Sequence, residues 1–429
     1  MKEIIGSSIL ILGYGAEGQS VHRWLKKFYP RLKIGIADKK RDKNYLDAIK
    51  NYDTIVRSPG IPADSPALLK ASIAGKQLTS ATNIFFSVCP GKIIAVTGTK
   101  GKSTTASLIQ TILSTAYPDV RLVGNIGNPA LNYLDGADKN TLFVIELSSY
   151  QLEDIRYSPF VAVILDIVPE HLDRYRNFET YVAAKSQIVR FQSTSDYVIF
   201  NQSHKIPAGI ASQSSARKIH FSLDTPLPMS NIPLLGQGNL ENCLAAVTAT
   251  KIFLVPASAI RQAIKNFRPL PHRLEKIGRH RGIIFYNDSI ATIPQATIHA
   301  LNALGENVAT LIAGGFDRGL DYSELGKFLV NRKGLKNLIL FPDTGDKIWR
   351  AILAAAEKQK HPLYLMKFPV SSMKQAVNIA FAKTGKGKIC LLSPAAASYN
   401  SFKNFEVRGD EFKKQVFTAP LLSNPSPRR

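Results

Sequence analysis

Apolar residues come along this chain in short runs, each closed by glycine, an acid or a hydroxyl residue. Ile9–Leu12 ends at Gly13 and leads into the helix-like stretch AEGQSVHRWLKKF. KIGIAD then ends at Asp38, and YDTIVRSPGIP closes a third run at Ser58. Strand, helix, strand is the signature of a parallel α/β unit. The pattern restarts at Lys92 with IIAVTGTKGKSTT, LFVIELSSY and VAVILDIV, which places a boundary near Cys89–Gly91. It restarts again near Pro269, with GIIFYNDS, VATLIAGGFD, NLILFPDTG and KICLLSP. Between these blocks, the polar and Ser-rich Gln202–Arg217 reads as a loop or small excursion. No repeat of solenoid period is visible. The expected class is α/β, with three domains in series over residues 1–89, 90–268 and 269–429. The first and third read as Rossmann-like and the second as P-loop ATPase-like. In such sheets ligands gather at the carboxyl ends of the strands.

Composition narrows the picture. A chain of 429 residues exceeds one ordinary core. No stretch reaches the roughly 18 apolar residues of a membrane span. The opening MKEIIGSSILILGYG reads as a first strand rather than a leader, because Gly6 breaks it and glycines follow it. Cys89, Cys243 and Cys390 lie far apart and form no metal or redox spacing, which fits buried thiols in a reducing cytoplasm. The net charge of +23 suits nucleic acid or small anionic substrates. The Lys and Arg are scattered and no nucleic-acid module is recognisable, so no nucleic-acid partner is expected.

The candidate chemistry sits at the strand ends. Gly13-x-Gly15-x-x-Gly18 matches the dinucleotide fingerprint, with Asp38 about 20 residues on where a ribose-binding acid belongs. The same glycines also suit a tight turn in any α/β domain. VTGTKGKSTTASLIQTIL, from Val96 to Leu113, joins a strand to a helical run. Gly98 and Gly101 let backbone N–H groups turn toward an anion, and the helix N-terminus adds its positive pole. Lys102 then reaches the outer phosphates, and Ser103 or Thr104 offers a hydroxyl to Mg²⁺. The spacing is shorter than the full G-x-x-x-x-G-K-[ST] pattern. Glu146, ending LFVIE, is placed to meet the same hard cation. His171 lies on a polar turn and Lys185 in the helix-like FETYVAAKSQIVRF. Taken singly, those two residues read as surface groups.

Taken in order, TGTKGKST, GNIGNPAL, IELSSYQLE, PEHLDRY, YVAAKSQI, GQGNLENCLAA, PLPHRLE, NDSIAT, GGFDRG and LLSPAAAS-x3-FKNFEVRGDEF form one set. The set resembles the Mur ligases, the ATP-dependent amino-acid-adding enzymes of peptidoglycan synthesis. Within that family it is most similar to the branch that adds glutamate, from about Ile9 to Phe412. The resemblance implies the substrates UDP-N-acetylmuramoyl-L-alanine and glutamate, the cofactors ATP and Mg²⁺, a cytoplasmic location and a monomer. It assigns Gly98, Thr99, Lys100, Gly101, Lys102, Ser103 and Thr104 to the ATP phosphates, and Asn239, Asn242, Arg273 and Asp288 to further ATP contacts. Gly13, Tyr14, Gly15, Asp38, Ser58, Pro59, Gly60 and Asn125 fall to the UDP substrate, so the first fingerprint would hold UDP rather than a dinucleotide. Arg318, Ser398 and Phe405 fall to the glutamate. Lys102, Glu146, His171 and Lys185 would be catalytic. The metal would take Ser103, Glu146, His171 and Lys185, the last as a carbamate.

Two departures stand out. Ile290 replaces a lysine common in the family's N-D-S-K-A-T, and NDSI-x-T is similar to relatives that add L-glutamate. Lys100 stands where asparagine is common. Folyl-polyglutamate synthesis would not need GYGAEG and SPGIP. A basic P-loop ATPase acting on nucleic acid would leave Glu146, His171 and Lys185 without roles.

Overall fold

The computed structural model describes residues 3–124, 129–171, 174–227, 232 and 234–419. Among these, the strands form three sheets. The first holds β1 (Ser8–Leu12), β2 (Lys33–Ala37), β3 (Thr54–Arg57) and β4 (Gln77–Ser80), all parallel, in the order β2-β1-β3-β4. SILIL is buried at every position, as a central strand covered on both faces must be.

The second sheet holds β5 (Lys92–Thr97), β6 (Val120–Gly124), β7 (Leu142–Glu146), β8 (Val161–Ile164), β9 (Tyr197–Asn201) and β10 (Arg217–Phe221). It too is parallel, in the order β10-β9-β8-β5-β7-β6. The third holds β11 (Glu275–His280), β12 (Ile283–Asn287), β13 (Val308–Gly315), β14 (Asn337–Asp343), β15 (Met366–Pro369) and β16 (Ile389–Leu392), ordered β11-β12-β16-β13-β14-β15. Only the edge strand β11 runs antiparallel, against β12.

The chain divides into two compact units: Met1–Ile232 with Gly238–Phe267, and Pro233–Gln237 with Arg268–Arg429. In the first unit one apolar cluster runs without a break between two sheets. Ile9, Val21, Leu25 and Phe85 of the first sheet's layer join Phe143, Ile145 and Leu152 of the second's. In the second unit, two separate clusters lie against the third sheet.

The expected loop at Gln202–Arg217 is instead a helix, Lys205–Ser212, crossing between the parallel strands β9 and β10. Its buried residues are few, namely Pro207, Ile210 and Ala211, so serines and a lysine dominate what the sequence displays. β4, β6, β10 and β15 are short, partly exposed strands with the same low contrast.

A buried ion pair joins the first two sheets. Arg57, at the end of β3 and 2% exposed, donates from Nε and Nη2 to both oxygens of Asp154 at 2.9 and 2.8 Å. Its Nη2 also reaches the Tyr150 carbonyl at 3.1 Å, and Glu153 lies 3.4 Å from Nη1. Removing one partner of such a pair leaves the other's charge buried and uncompensated. Arg57→Ala should therefore lower the free energy of unfolding by about 3 kcal/mol, read from urea denaturation of the full chain. An unchanged midpoint would show that the pair does not hold these sheets together.

Candidate functional site

The order of the second sheet places β5 between β7 and β8, so the chain leaves β5 on one side and returns on the other. That reversal opens a crevice at the carboxyl end of β5. The loop there begins at Gly98, φ 148°, where an added Cβ would come 2.7 Å from the Leu165 side chain. It closes at Gly101, φ 86°, which precedes the helix Lys102–Leu113. A Cβ on Gly101 would lie 2.1 Å from Asn242 Oδ1, so only glycine fits on both counts. Thr99 pins the loop: its hydroxyl donates to the Val168 carbonyl and accepts from Val168 N, both at 3.0 Å. Lys102 Nζ folds over the same loop, donating to the carbonyls of Gly98 and Thr99 at 3.2 and 3.0 Å. Lysine, helix N-terminus and left-handed glycine thus share one anion seat. Thr104, in the helix's first turn, is buried.

Around that seat the expected residues converge. Ser103 Oγ donates to Glu146 Oε2 at 2.7 Å, at the end of β7. His171 follows β8 with φ 57°, its ring centroid 5.1 Å from that of Tyr150. Lys100 pairs with Glu170 at 2.6 Å, and Glu170 Oε2 lies 3.8 Å from His171 Nε2. Burial works against the Glu170 charge, but Lys100, His171 and Lys102 outweigh it and hold the carboxyl below its usual range. Lys185, on the helix Phe178–Ser186, is 1% exposed and donates to the Gly98 carbonyl at 2.8 Å. Its Nζ sits 4.8 Å from the centre of the Tyr181 ring. Burial, and next the Lys102 charge, drive this amine well below the ordinary lysine range.

No group of three or more His, Cys, Asp or Glu poised to hold a metal occurs among the described residues. That still fits Mg²⁺, which commonly takes one or two carboxylates and completes its shell with phosphate and water. The Ser103 hydroxyl and Glu146 carboxylate are oxygen donors of the right kind, beside the anion seat.

In the first sheet the reversal falls at β1 and β3. Gly13, φ 91°, donates to the Ala37 carbonyl at 2.7 Å, and Ser58 Oγ donates to the Gly13 carbonyl at 2.8 Å. A Cβ on Gly18 would come 2.2 Å from that same carbonyl oxygen, which explains the third glycine. Asp38 accepts from Tyr14 N at 2.6 Å and Lys40 N at 2.8 Å, and these bonds hold its carboxyl below the usual range. Gly15 opens the helix Ala16–Phe28, and Pro59 and Gly60 follow β3. The Gly60 carbonyl accepts from Arg174. Asn125 lies outside the described residues.

A cavity of about 280 Å³ lies between these two reversals. Glu17 and Pro59 line it from the first sheet, and Lys102, His171 and Lys185 from the second. Asn242, on the helix Gln237–Lys251, accepts from Thr105 Oγ1 at 3.2 Å and donates to Asn239 at 3.1 Å, which seats both asparagines behind the loop.

The second unit gathers the remaining candidates by itself. Asp288 follows β12 and accepts from Ser393 Oγ at 2.9 Å and Leu274 N at 3.1 Å. Arg273 lies on the turn before β11. Ser398 is buried, and Phe405 opens the helix Phe405–Thr418, its carbonyl accepting from Ser289 Oγ at 2.7 Å. Arg318 is exposed, two residues after Phe316, which follows β13 and bridges to Ala397. Beneath these loops lies Arg408, 2% exposed. It donates to the Ser289 hydroxyl and carbonyl at 3.0 and 2.8 Å, and to the carbonyls of Ala396 and Ala397 at 3.0 and 3.2 Å.

Sequence reasoning missed four residues here: Glu17, Glu170, Tyr181 and Arg408. Tyr181 was traceable, since it lies four residues before Lys185 on one helix face. Glu170 adjoins His171 on a polar turn, and Arg408 lies inside FKNFEVRGDEF. Nothing in the pattern marks Glu17, which fills an unspecified place in the fingerprint.

The Mur ligase middle domain matches residues 96–227. A UDP-N-acetylmuramoylalanine–D-glutamate ligase of Acetivibrio thermocellus is 36% identical over 395 residues, covering 87% of this chain and 84% of that protein. The enzyme of the same name from Clostridioides difficile is 31% identical, covering 96% and 99%. A UDP-N-acetylmuramate–alanine ligase from Thermotoga maritima superposes with a TM-score of 0.62 at 16% identity, covering 96% of this chain and all of that one. MurF from Acinetobacter baumannii gives 0.61 at 18% identity, covering 85% and 90%. These two structures share the fold.

The loop makes a direct prediction. Gly101→Ala combines a left-handed backbone with the Asn242 clash, so ATP affinity should fall tenfold or more, roughly 1.4 kcal/mol. Titration with a fluorescent ATP analogue would measure it. Undiminished binding would show that this loop is not the phosphate seat.

Proposed function

The chain belongs to the Mur ligase family, ATP-dependent enzymes that form amide bonds, and from that membership we propose that it joins D-glutamate to UDP-N-acetylmuramoyl-L-alanine in peptidoglycan precursor synthesis. One observation carries the reading: Lys102 of the phosphate loop and Lys185 line the same cavity as Glu17 of the first sheet's fingerprint helix, and Ser103, bonded to Glu146, adjoins Lys102. An activating nucleotide and an acid substrate can therefore meet there. On this reading residues 1–89 bind the UDP substrate, 90–268 bind ATP, and 269–429 bind glutamate and complete the ATP contacts.

A carboxylate is a poor acyl donor because oxide is its leaving group. The alanyl carboxylate oxygen attacks the γ-phosphorus of ATP, forming an acyl phosphate and releasing ADP. The glutamate amine then adds to the acyl carbon, loses a proton, and phosphate leaves as the tetrahedral intermediate collapses. Two anions approach one another in the first step, so positioned positive charge contributes most. Lys102 and the N–H groups of the helix Lys102–Leu113 supply it at the loop. Bound Mg²⁺ would neutralise phosphate charge further, held by Ser103, Glu146, His171 and a carbamoylated Lys185.

Burial keeps the Lys185 amine below its ordinary range and so favours the neutral form. A neutral amine adds to CO₂ with loss of a proton, giving a carbamate whose negative charge suits a site crowded by Lys102 and Lys100. In the second unit, Arg318, Ser398 and Phe405 receive the glutamate, and Arg318 suits a carboxylate by its forked geometry. No helix among the described residues is long and apolar enough to cross a membrane. Cys89, Cys243 and Cys390 are free thiols, which supports a cytoplasmic site of action.

Phosphate release from ATP should require UDP-N-acetylmuramoyl-L-alanine and glutamate together, with D-glutamate preferred in a chirality-resolved ligation assay. Release stimulated by DNA or RNA instead would overturn the proposal, and a preference for L-glutamate would reassign the branch. Lys185→Ala should lose at least about 100-fold in kcat, with partial recovery in high bicarbonate or small carboxylates. Full activity without additive would remove Lys185 from the mechanism.

A further inference from the structure

Glu17 lies in the first turn of the helix Ala16–Phe28 and lines the cavity opposite Lys102 and Lys185. Its Oε1 accepts from Gln151 Nε2 at 2.7 Å. Gln151 is not free to turn, because its own Oε1 accepts from Ser148 N and Ser148 Oγ, both at 3.0 Å, in the capping box of the helix Ser149–Leu152. The second carboxylate oxygen, Oε2, is enclosed and has no hydrogen-bond partner among the described residues. An enclosed acceptor without a donor carries its desolvation penalty uncompensated. Burial also pushes the Glu17 carboxyl above its usual range, against the opposing effects of Gln151 and then Arg57.

Such an atom calls for a ligand that brings an N–H or O–H. An ionised carboxylate and the diesterified diphosphate of a UDP-sugar bring neither, and the Glu17 carboxylate repels them. Those anions belong on the opposite wall, with Lys102. In the proposed acid substrate, the alanyl amide N–H is separated from the reacting carboxylate only by the α-carbon. A substrate that offers this carboxylate to the phosphate loop therefore carries a neutral donor to the other side of the same small cavity.

We propose that Glu17 is a substrate-binding residue whose Oε2 accepts the alanyl amide N–H of the acid substrate, fixing the arm that presents the carboxylate. The inference rests on the ligase reading above. It also gives the Gln151 contact a purpose: Gln151 takes one carboxylate oxygen and leaves the other for the substrate.

The isosteric Glu17→Gln separates this role from a structural one. The amide oxygen is needed by Gln151, so the variant turns its NH₂ toward the substrate N–H, donor against donor. KM for UDP-N-acetylmuramoyl-L-alanine should rise about tenfold, with KM for ATP and glutamate within about twofold and the thermal midpoint unchanged. A depsipeptide analogue, with the alanyl N–H replaced by an ester oxygen, provides the second arm. Wild type should lose a similar factor on that analogue, whereas Glu17→Gln should lose little or nothing more. Equal losses in both proteins, or an unchanged KM for the acid substrate in the variant, would overturn the proposal. If the variant fails to fold, wild type with the analogue decides alone: an undiminished affinity overturns it. Absence of any wild-type turnover of UDP-N-acetylmuramoyl-L-alanine would instead overturn the ligase reading itself.

Discussion

The cavity has two walls because Arg57 is buried against Asp154. Without that pair the end of β3 and the segment after the helix Ser149–Leu152 would each carry an uncompensated charge into a dry joint. With it, the carboxyl ends of β1 and β3 face the carboxyl end of β5. A shared apolar core, from Ile9 and Phe85 to Phe143 and Leu152, stabilises the joint, but apolar contact is non-directional. The bidentate guanidinium–carboxylate geometry is directional and fixes how the two sheets meet. Glu153 reinforces it by pairing with both Arg57 and Arg174, and Arg174 in turn reaches the Gly60 carbonyl. The loop after β3 is therefore held by the same network that holds the sheets.

Within the crevice, charge is balanced locally rather than across the chain. Lys100 is paired with Glu170, and Glu146 takes a hydrogen bond from Ser103. Lys185 is different, because it is enclosed by Tyr181 and the loop carbonyl with Lys102 as a like-charged neighbour. A protonated amine is unfavourable there on two counts, desolvation and repulsion; as an anion it would still be desolvated, but the repulsion by Lys102 would become attraction. A site that binds polyanions needs cations, yet packing cations together raises the energy of the empty site. Converting one buried lysine to a carbamate would relieve that conflict while adding a metal-type oxygen donor.

Much of this was legible beforehand because strand ends are where apolar runs stop. Gly13, Gly98 and Gly101 mark turns where a side chain would collide, and Glu146 marks the end of a wholly buried strand. Periodicity could not reveal the helix Lys205–Ser212, whose buried face is three small or medium residues among serines. Nor could it reveal Asp38's actual bonding, since an acid beside a glycine turn can equally serve ligand or backbone; here Tyr14 and Lys40 occupy it. Glu17 was out of reach for a deeper reason. Its significance depends on Gln151, more than a hundred residues away, and on which of two equivalent oxygens that partner takes.

Arg57 and Arg408, both buried, show how partner choice separates a joint from a charged support. Arg57 meets carboxylates, so its charge is neutralised where it lies. Arg408 meets only carbonyls and one hydroxyl, with no carboxylate pairing it among the described residues, and burial alone lowers its pKa to about 10. It remains a cation near neutrality, fixed beneath Ser289 and Ala396–Ala397. Its donors hold those loops in shape while its positive charge stays uncancelled. Ile290, which follows Ser289, brings no charge of its own. The positive potential at this end of the third sheet therefore does not depend on a lysine at position 290. It comes in part from a guanidinium buried with no acid beside it among the described residues, stabilised by donor contacts that end on oxygens held by the surrounding fold.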